Sequence, residues 1–163
     1  MIFKAFYISP IGSIEITGND HSITSLYFID NEVNAEEKSN SYLDNCINQL
    51  DEYFKGERKL FNLRLESEGT DFQKRVWNEL LKIPYGETKS YMEITKLLGD
   101  QKAIRAVANA NGQNKISIII PCHRVIGSDG SLTGYAGGLW RKKWLLEHEQ
   151  KFSSTEKQLE FTL

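Results

Sequence analysis

The sequence predicts an α+β chain, a small sheet-and-helix first part followed by a mostly helical second part, in a length that fits one full-sized domain or two small ones. Three observations carry that reading. The first thirty residues alternate in hydropathy with period two, and the segment after them changes to the helical period of 3.6. The second half then holds two short helical stretches separated by a glycine turn.

Taken in order, Ile2, Phe3, Phe6, Tyr7 and Ile8 run into the turn signal Pro10-Ile11-Gly12, after which Ile14 and Ile16 alternate with polar neighbours. Asn19-Asp20 marks a second turn before Ile23 to Ile29, so three antiparallel strands are expected. From about Ala35 to Phe54, Leu43, Ile47, Leu50 and Phe54 form one helical stripe with Tyr42, Cys46 and Tyr53 beside it. Cys46 reads there as a small core residue. Leu63 and Leu65 suggest a short strand, and Glu66 to Gly69 a linker.

The second domain opens with Thr70-Asp71-Phe72-Gln73, a capping box ahead of a helix carried by Phe72, Val76, Leu80 and Leu81 and broken at Pro84-Tyr85-Gly86. Ser90 to Glu93 is a second such box. It starts a short helix that stops at Gly99-Asp100, and another helix follows from about Lys102 to Asn111. That is the sequence form of a helix-turn-helix, whose second helix, carrying Arg105, faces DNA. A last helix is expected from about Leu139 to Glu149, with Trp140, Trp144 and His148 at i, i+4 and i+8. The boundaries are 1–68 for the first domain, 70–152 for the second and 153–163 for a polar tail.

Composition excludes several classes. A 40% hydrophobic and 26% charged chain is that of an ordinary globular protein, with no apolar run long enough for a membrane span and no leader-like N-terminus. Two cysteines make no disulfide framework, so a reducing, cytoplasmic setting is expected. The net charge of -2 hides a polarity. Residues 1–69 hold 6 Lys and Arg against 12 Asp and Glu, whereas residues 70–152 hold 13 against 8. A basic second half is suited to phosphates.

Chemistry concentrates between the helix-turn-helix and the last helix. Ile118-Ile119-Ile120 reads as a buried strand that Pro121 stops, leaving Cys122 where the chain turns. A thiolate is the strongest side-chain nucleophile near neutral pH, but a free cysteine is mostly protonated and needs a base or cation nearby. His123 and Arg124 follow at once. On a strand they would point to alternate faces, so a turn or a bridging water would be needed to bring the imidazole to the thiol. From these residues alone a structural cysteine is equally open.

Ile120-Pro121-Cys122-His123-Arg124-Val125 resembles the active-site signature of the O6-alkylguanine-DNA alkyltransferases. Ser90-Tyr91, Arg105-Ala106-Val107, Asn114, Gly134-Tyr135 and Trp144 to Glu149 fall at that family's spacing from the cysteine. The similarity is dense from about Asp71 to Glu149 and faint before it. It implies a ribonuclease-H-like first domain, a winged helix-turn-helix second domain, and direct reversal of DNA damage without cofactor or metal. Cys122 would accept the alkyl group irreversibly, once per molecule. His123 would take the thiol proton through a water, Glu149 would orient the imidazole, and Asn114 would brace the cysteine turn. Tyr91 would donate to the departing guanine. Arg105 would fill the space left by the flipped base, with Tyr91, Ala106 and Arg124 also at the DNA. Tyr135, Ala136 and Gly137 would wall the base pocket.

The implied partner is double-stranded DNA carrying O6-alkylguanine, with O4-alkylthymine open, acted on by a monomer away from membranes. Ala136 stands where many relatives have serine, and Lys115 and Ser117 where they often have proline. His21 and Cys46 are too few for the zinc site some relatives carry in the first domain. The rivals are a non-catalytic lesion binder of the same fold, a helix-turn-helix regulator with a structural cysteine, and, more distantly, a cysteine peptidase.

Overall fold

Period-two alternation in the first thirty residues becomes a meander of three antiparallel strands, β1 (Phe3–Ser9), β2 (Gly12–Gly18) and β3 (Ile23–Ile29), in the order β1-β2-β3. The computed structural model describes residues 1–31, 33 and 37–153; the expected tail beyond residue 153 lies outside them. Within these, the chain divides into two compact units.

The first unit comprises Met1–Glu68 and Lys115–Ser117. Ser9 closes the β1-β2 hairpin, its Oγ donating to the Gly12 carbonyl at 2.6 Å and accepting from Ile11 N at 3.2 Å. The β2-β3 register slips at Thr17/Gly18, where a Cβ on Gly18 would stand 2.4 Å from the Ser22 carbonyl. Only glycine fits that bulge. Ile14 and Ile16 of β2, with Leu26 of β3, are fully buried, and α1 (Ser41–Phe54) adds Leu43, Cys46, Leu50 and Tyr53 to the same core. Burial pushes the Cys46 thiol up to about 12, as suits an inert core residue.

This helix begins at Ser41, not near Ala35. The Asn40 side chain accepts from Leu43 N at 2.8 Å, and the Lys38 carbonyl is already taken by Lys4 N of β1. Residues 34–36 lie outside the described set. The strand expected over Leu63 and Leu65 reduces to one parallel bridge, Ile23 with Leu65, on the free edge of β3. Leu26, on that same edge, bridges Ile116.

The second unit comprises Gly69–Asn114 and Ile118–Leu163. Its first helix, α2 (Asp71–Leu80), starts at the complete capping box of Thr70 and Gln73 and buries Val76, Trp77 and Leu80. A two-residue strand, β4 (Lys89–Ser90), leads into α3 (Tyr91–Leu97), capped by Ser90 Oγ. After the turn at Gly99, Asp100 caps a single 3₁₀ turn over Gln101–Ala103, and α4 (Ile104–Gly112) follows. The DNA-facing helix expected from Lys102 thus begins as 3₁₀. Helices α2, α3 and α4 pack on one another, and Trp77 Nε1 donates to the Ala110 carbonyl at 2.8 Å in the interior. Strand β5 (Val125–Ile126) pairs in parallel with β4, and α5 (Leu139–Phe152) completes the unit. No described helix is long and apolar enough to cross a membrane.

The Trp77 bond ties α2 to the last turn of α4. Trp77→Phe removes the donor and leaves a small void, and should lower stability by about 1–3 kcal/mol in urea denaturation followed by circular dichroism. An unchanged midpoint would show that this bond contributes nothing to holding α4.

Candidate active site

The cysteine sits on a turn, not at the end of a strand. Ile118-Ile119-Ile120 is buried as expected, but Ile118 has φ of 71°, and the triplet folds as consecutive turns. A β-branched residue in the left-handed region stores on the order of 1–2 kcal/mol of strain. Two bonds within the loop hold it after Ile118: Asn114 Nδ2 donates to the Ile120 carbonyl at 2.8 Å, and Cys122 N donates to the same oxygen at 2.8 Å. Cys122–Arg124 then form one 3₁₀ turn, and β5 pairs with β4 directly after it. The β4-β5 pairing therefore joins the start of α3, and with it Tyr91, to the cysteine turn.

Behind this turn lies Glu149, fully buried on α5. Its Oε2 meets His123 Nε2 at 2.7 Å, and Arg124 grips both oxygens, Nε to Oε1 at 2.8 Å and Nη2 to Oε2 at 3.1 Å. Arg124 Nη1 donates to the Ile83 carbonyl at 2.7 Å. Gly86 N, at 3.3 Å, gives Oε1 a further donor; its φ of 80° suits glycine, and a Cβ there would stand 2.8 Å from Ser153. Burial alone would raise the Glu149 pKa, but the charges and hydrogen bonds of His123 and Arg124 outweigh it and hold the carboxyl well below its ordinary range. Burial holds His123 below its usual value despite the carboxylate beside it. With Arg124 already balancing Glu149, the imidazole is neutral. Because the carboxylate only accepts, the proton sits on Nε2 and Nδ1 keeps its lone pair. That Nδ1 is buried and has no hydrogen-bond partner among the described residues.

A buried lysine also acts on Cys122. Lys142 is fully buried; its Nζ donates to the Thr133 carbonyl at 2.8 Å and lies 3.4 Å from the Tyr91 hydroxyl, which itself donates to Thr133 O at 3.0 Å. Burial pushes the ammonium down to about 8, while the Cys122 side chain favours its charge. Burial likewise raises Cys122, against the hydrogen bond from Asn114 and the field of Lys142. The resting thiol is protonated, yet its neighbours are arranged to stabilise a thiolate. Tyr91 is raised by burial too. An open cleft of about 370 Å³ runs along α4, lined by Tyr91, Ile104, Arg105, Ala108, Thr133 and Gly134.

The structure gathers Cys122, His123, Glu149, Tyr91 and Asn114 about one turn, while Arg105 and Ala106 are exposed on α4. Arg124 is a correction: expected at the DNA, it is buried, with its guanidinium engaged by Glu149 and Ile83. Of the expected pocket wall, Tyr135 is buried, Ala136 is exposed and none of Tyr135, Ala136 and Gly137 lines the cleft, which Thr133 and Gly134 supply instead. Lys142 escaped the sequence reading, although a signal existed. The buried stripe of α5 is Lys142, Leu145, Leu146 and Glu149, so two charged residues occupy core spacing. The aromatic row drew attention instead; Trp144 stacks on His148 at 4.8 Å, but Trp140 is 53% exposed. Among the described residues no group of three or more His, Cys, Asp and Glu could hold a metal ion.

Comparison with known proteins places this geometry. Residues 2–67 match the family model for the 6-O-methylguanine DNA methyltransferase ribonuclease-like domain, and residues 71–151 the model for that protein's DNA-binding domain. A methylated-DNA--protein-cysteine methyltransferase of Methanosarcina acetivorans is 46% identical over 154 residues, covering 91% of this chain and 98% of that protein. The protein of that name from Mycobacterium tuberculosis is 46% identical over 149 residues, 87% of this chain and 88% of its own length. The crystal structure of M. tuberculosis O6-methylguanine methyltransferase superposes with a TM-score of 0.85 at 42% identity, covering 96% and 97% of the two chains. A structure of M. tuberculosis OGT in complex with DNA gives 0.83 at 45% identity, covering 91% and 92%. With both of its domain models matched in order across nearly the whole described chain, this protein belongs to the 6-O-methylguanine DNA methyltransferase family.

Proposed function

We propose that this protein repairs DNA by moving the methyl group of O6-methylguanine onto Cys122, once per molecule. The observation that supports this most is a buried cysteine on the same turn as an imidazole whose Nδ1 is buried without a partner among the described residues, together with a buried lysine beside the Tyr91 phenol. His123 Nδ1 takes the thiol proton, directly or through one water, and the imidazolium is stabilised by Glu149 across the 2.7 Å contact. Sulfur attacks the methyl carbon in line with the C–O6 bond. That bonding pair stays with the guanine oxygen, and Tyr91 neutralises the leaving base by donating its hydroxyl proton, backed by Lys142. The thioether left on Cys122 does not hydrolyse, which makes the reaction stoichiometric. The exposed face of α4 presents Arg105 to the duplex, where it takes the place of the extruded nucleotide. The protein acts as a monomer in the cytoplasm, on double-stranded DNA.

Intact mass spectrometry tests this directly. Mixed with equimolar duplex holding one O6-methylguanine, the protein should gain one methyl on Cys122, and Cys122→Ser should gain none. Lesion-dependent binding without a mass gain would leave a damage sensor.

The buried carboxylate makes a stability prediction with a definite sign. Glu149 is depressed in the fold, so its contribution is complete above the ordinary carboxyl pKa of ~4.3 and is lost as pH falls below it. His123, also depressed, adds loss of the same sign below ~6.5. Urea denaturation at stepped pH should therefore show steep loss between about pH 6 and 3. Glu149→Gln should be about 3–5 kcal/mol less stable at neutral pH and should lose less over that window. Parallel slopes for the two proteins would rule out Glu149 as the titrating group.

Lys142→Met should act in opposite directions on stability and rate. Removing a buried ammonium should stabilise the fold by about 1–3 kcal/mol, whereas methyl transfer in single-turnover kinetics should slow at least about tenfold. Loss of both together would mean that Lys142 is simply part of the core.

A further inference from the structure

Asn111 carries a polar atom for which the mechanism above has no use. It occupies the last turn of α4 and is 1% exposed. Its Nδ2 donates to the Cys122 carbonyl at 3.4 Å, and its amide also hydrogen-bonds the Tyr91 phenol. The carbonyl of Cys122 can only accept, so the NH₂ end of the amide must face it and the orientation of the side chain is settled by chemistry. The opposite end, Oδ1, is then buried with no hydrogen-bond partner among the described residues. Leaving a buried acceptor unpaired is destabilising, a cost that an apolar side chain of the same size would avoid.

Position gives that acceptor a use. Ile104, Ala108 and Asn111 are spaced i, i+4 and i+7, so they share one face of α4. Ile104 and Ala108 line the open cleft, and Asn111 continues that face inward to the cysteine turn and the Tyr91 hydroxyl. A base entering along α4 toward Cys122 therefore comes up to Asn111. O6-Alkylguanine has lost the proton on N1, so its exocyclic 2-amino group is the one hydrogen-bond donor left on the ring. O4-Alkylthymine has no N–H at all.

Resting on the alkyl-transfer reading, we infer that Asn111 is a specificity residue whose Oδ1 accepts a hydrogen bond from the 2-amino group of the flipped guanine. A buried acceptor selects by penalty. A base that brings a donor satisfies it, and one that brings none leaves it desolvated and unpaired. The same amide holds the Cys122 carbonyl and the phenol, so recognition of the amino edge is joined to placement of the nucleophile.

The test compares single-turnover methyl transfer from two otherwise identical duplexes, one with O6-methylguanine and one with O6-methylhypoxanthine, which lacks only the 2-amino group. Wild-type protein should react at least about tenfold faster with the guanine lesion, and in Asn111→Leu that ratio should collapse to within about threefold. Because the readout is a ratio within one protein, a general loss of activity or stability does not imitate it; Asn111→Ala supplies the same ratio if leucine prevents folding. A wild-type ratio near one, or a wild-type ratio retained in the variants, would overturn the inference and leave Asn111 a structural residue. No methylation of wild-type Cys122 by either duplex would instead sink the alkyl-transfer reading, and the inference with it.

Discussion

A carboxylate removed from water must be met by donors on every side, and Glu149 shows how far a fold is shaped by that requirement. Its two oxygens receive His123, a bidentate Arg124 and the Gly86 amide, drawn from two separate stretches of the second unit. Removing any partner would strand charge in a low-dielectric interior, which is why such pairs are costly to break even where building them gains little. The cysteine turn depends on this arrangement. His123 and Arg124 belong to the same 3₁₀ turn as Cys122, so anchoring their side chains to α5 anchors the nucleophile.

Several features near Cys122 work against stability, and they lie close together. Lys142 is a fully buried ammonium, Ile118 sits in the left-handed region, and His123 Nδ1 and Asn111 Oδ1 are buried polar atoms without partners among the described residues. Elsewhere the second unit follows ordinary rules, with a complete capping box at the start of α2 and an apolar stripe on its inner face. Departures of this kind persist where they serve chemistry. Here the lone pair suits a proton acceptor, the ammonium a departing anion, and the strained turn a cysteine that must stand clear of regular structure.

Much of the architecture was legible from local pattern. Alternation at Ile14 and Ile16, the Thr70–Gln73 box, the Ser90 cap and the break at Gly99 each report a nearest-neighbour preference, and each appears where expected. Misreadings arose where specific hydrogen bonds and strand pairing overrode the periodic pattern. Three consecutive isoleucines favour a strand, but Asn114 and the return to β5 bend them into turns. Helical periodicity upstream of Ser41 yields to Asn40, which caps the helix, and to Lys38, whose carbonyl pairs with β1. Arg124 was expected at the DNA because arginine next to a reactive cysteine is ambiguous in sequence, and only the buried carboxylate across the unit explains it.

The sequence by itself determined which residues could do chemistry, since nucleophilicity, basicity and charge belong to side chains, and it determined the strands and helices whose signals are local. Only the tertiary structure decided what those residues are. Cys46 and Cys122 are the same side chain, and both are pushed up by burial. One lies in an apolar core, whereas the other has Asn114 and Lys142 drawing it back toward the thiolate. The packing of α5 buries Lys142 and Glu149, and the fold of α4 against the cysteine turn brings the Asn111 amide to the Cys122 carbonyl. The physical reason is the same in each case. Desolvation and Coulomb energies depend on what surrounds a group, and those surroundings come from residues that are not its neighbours in the chain.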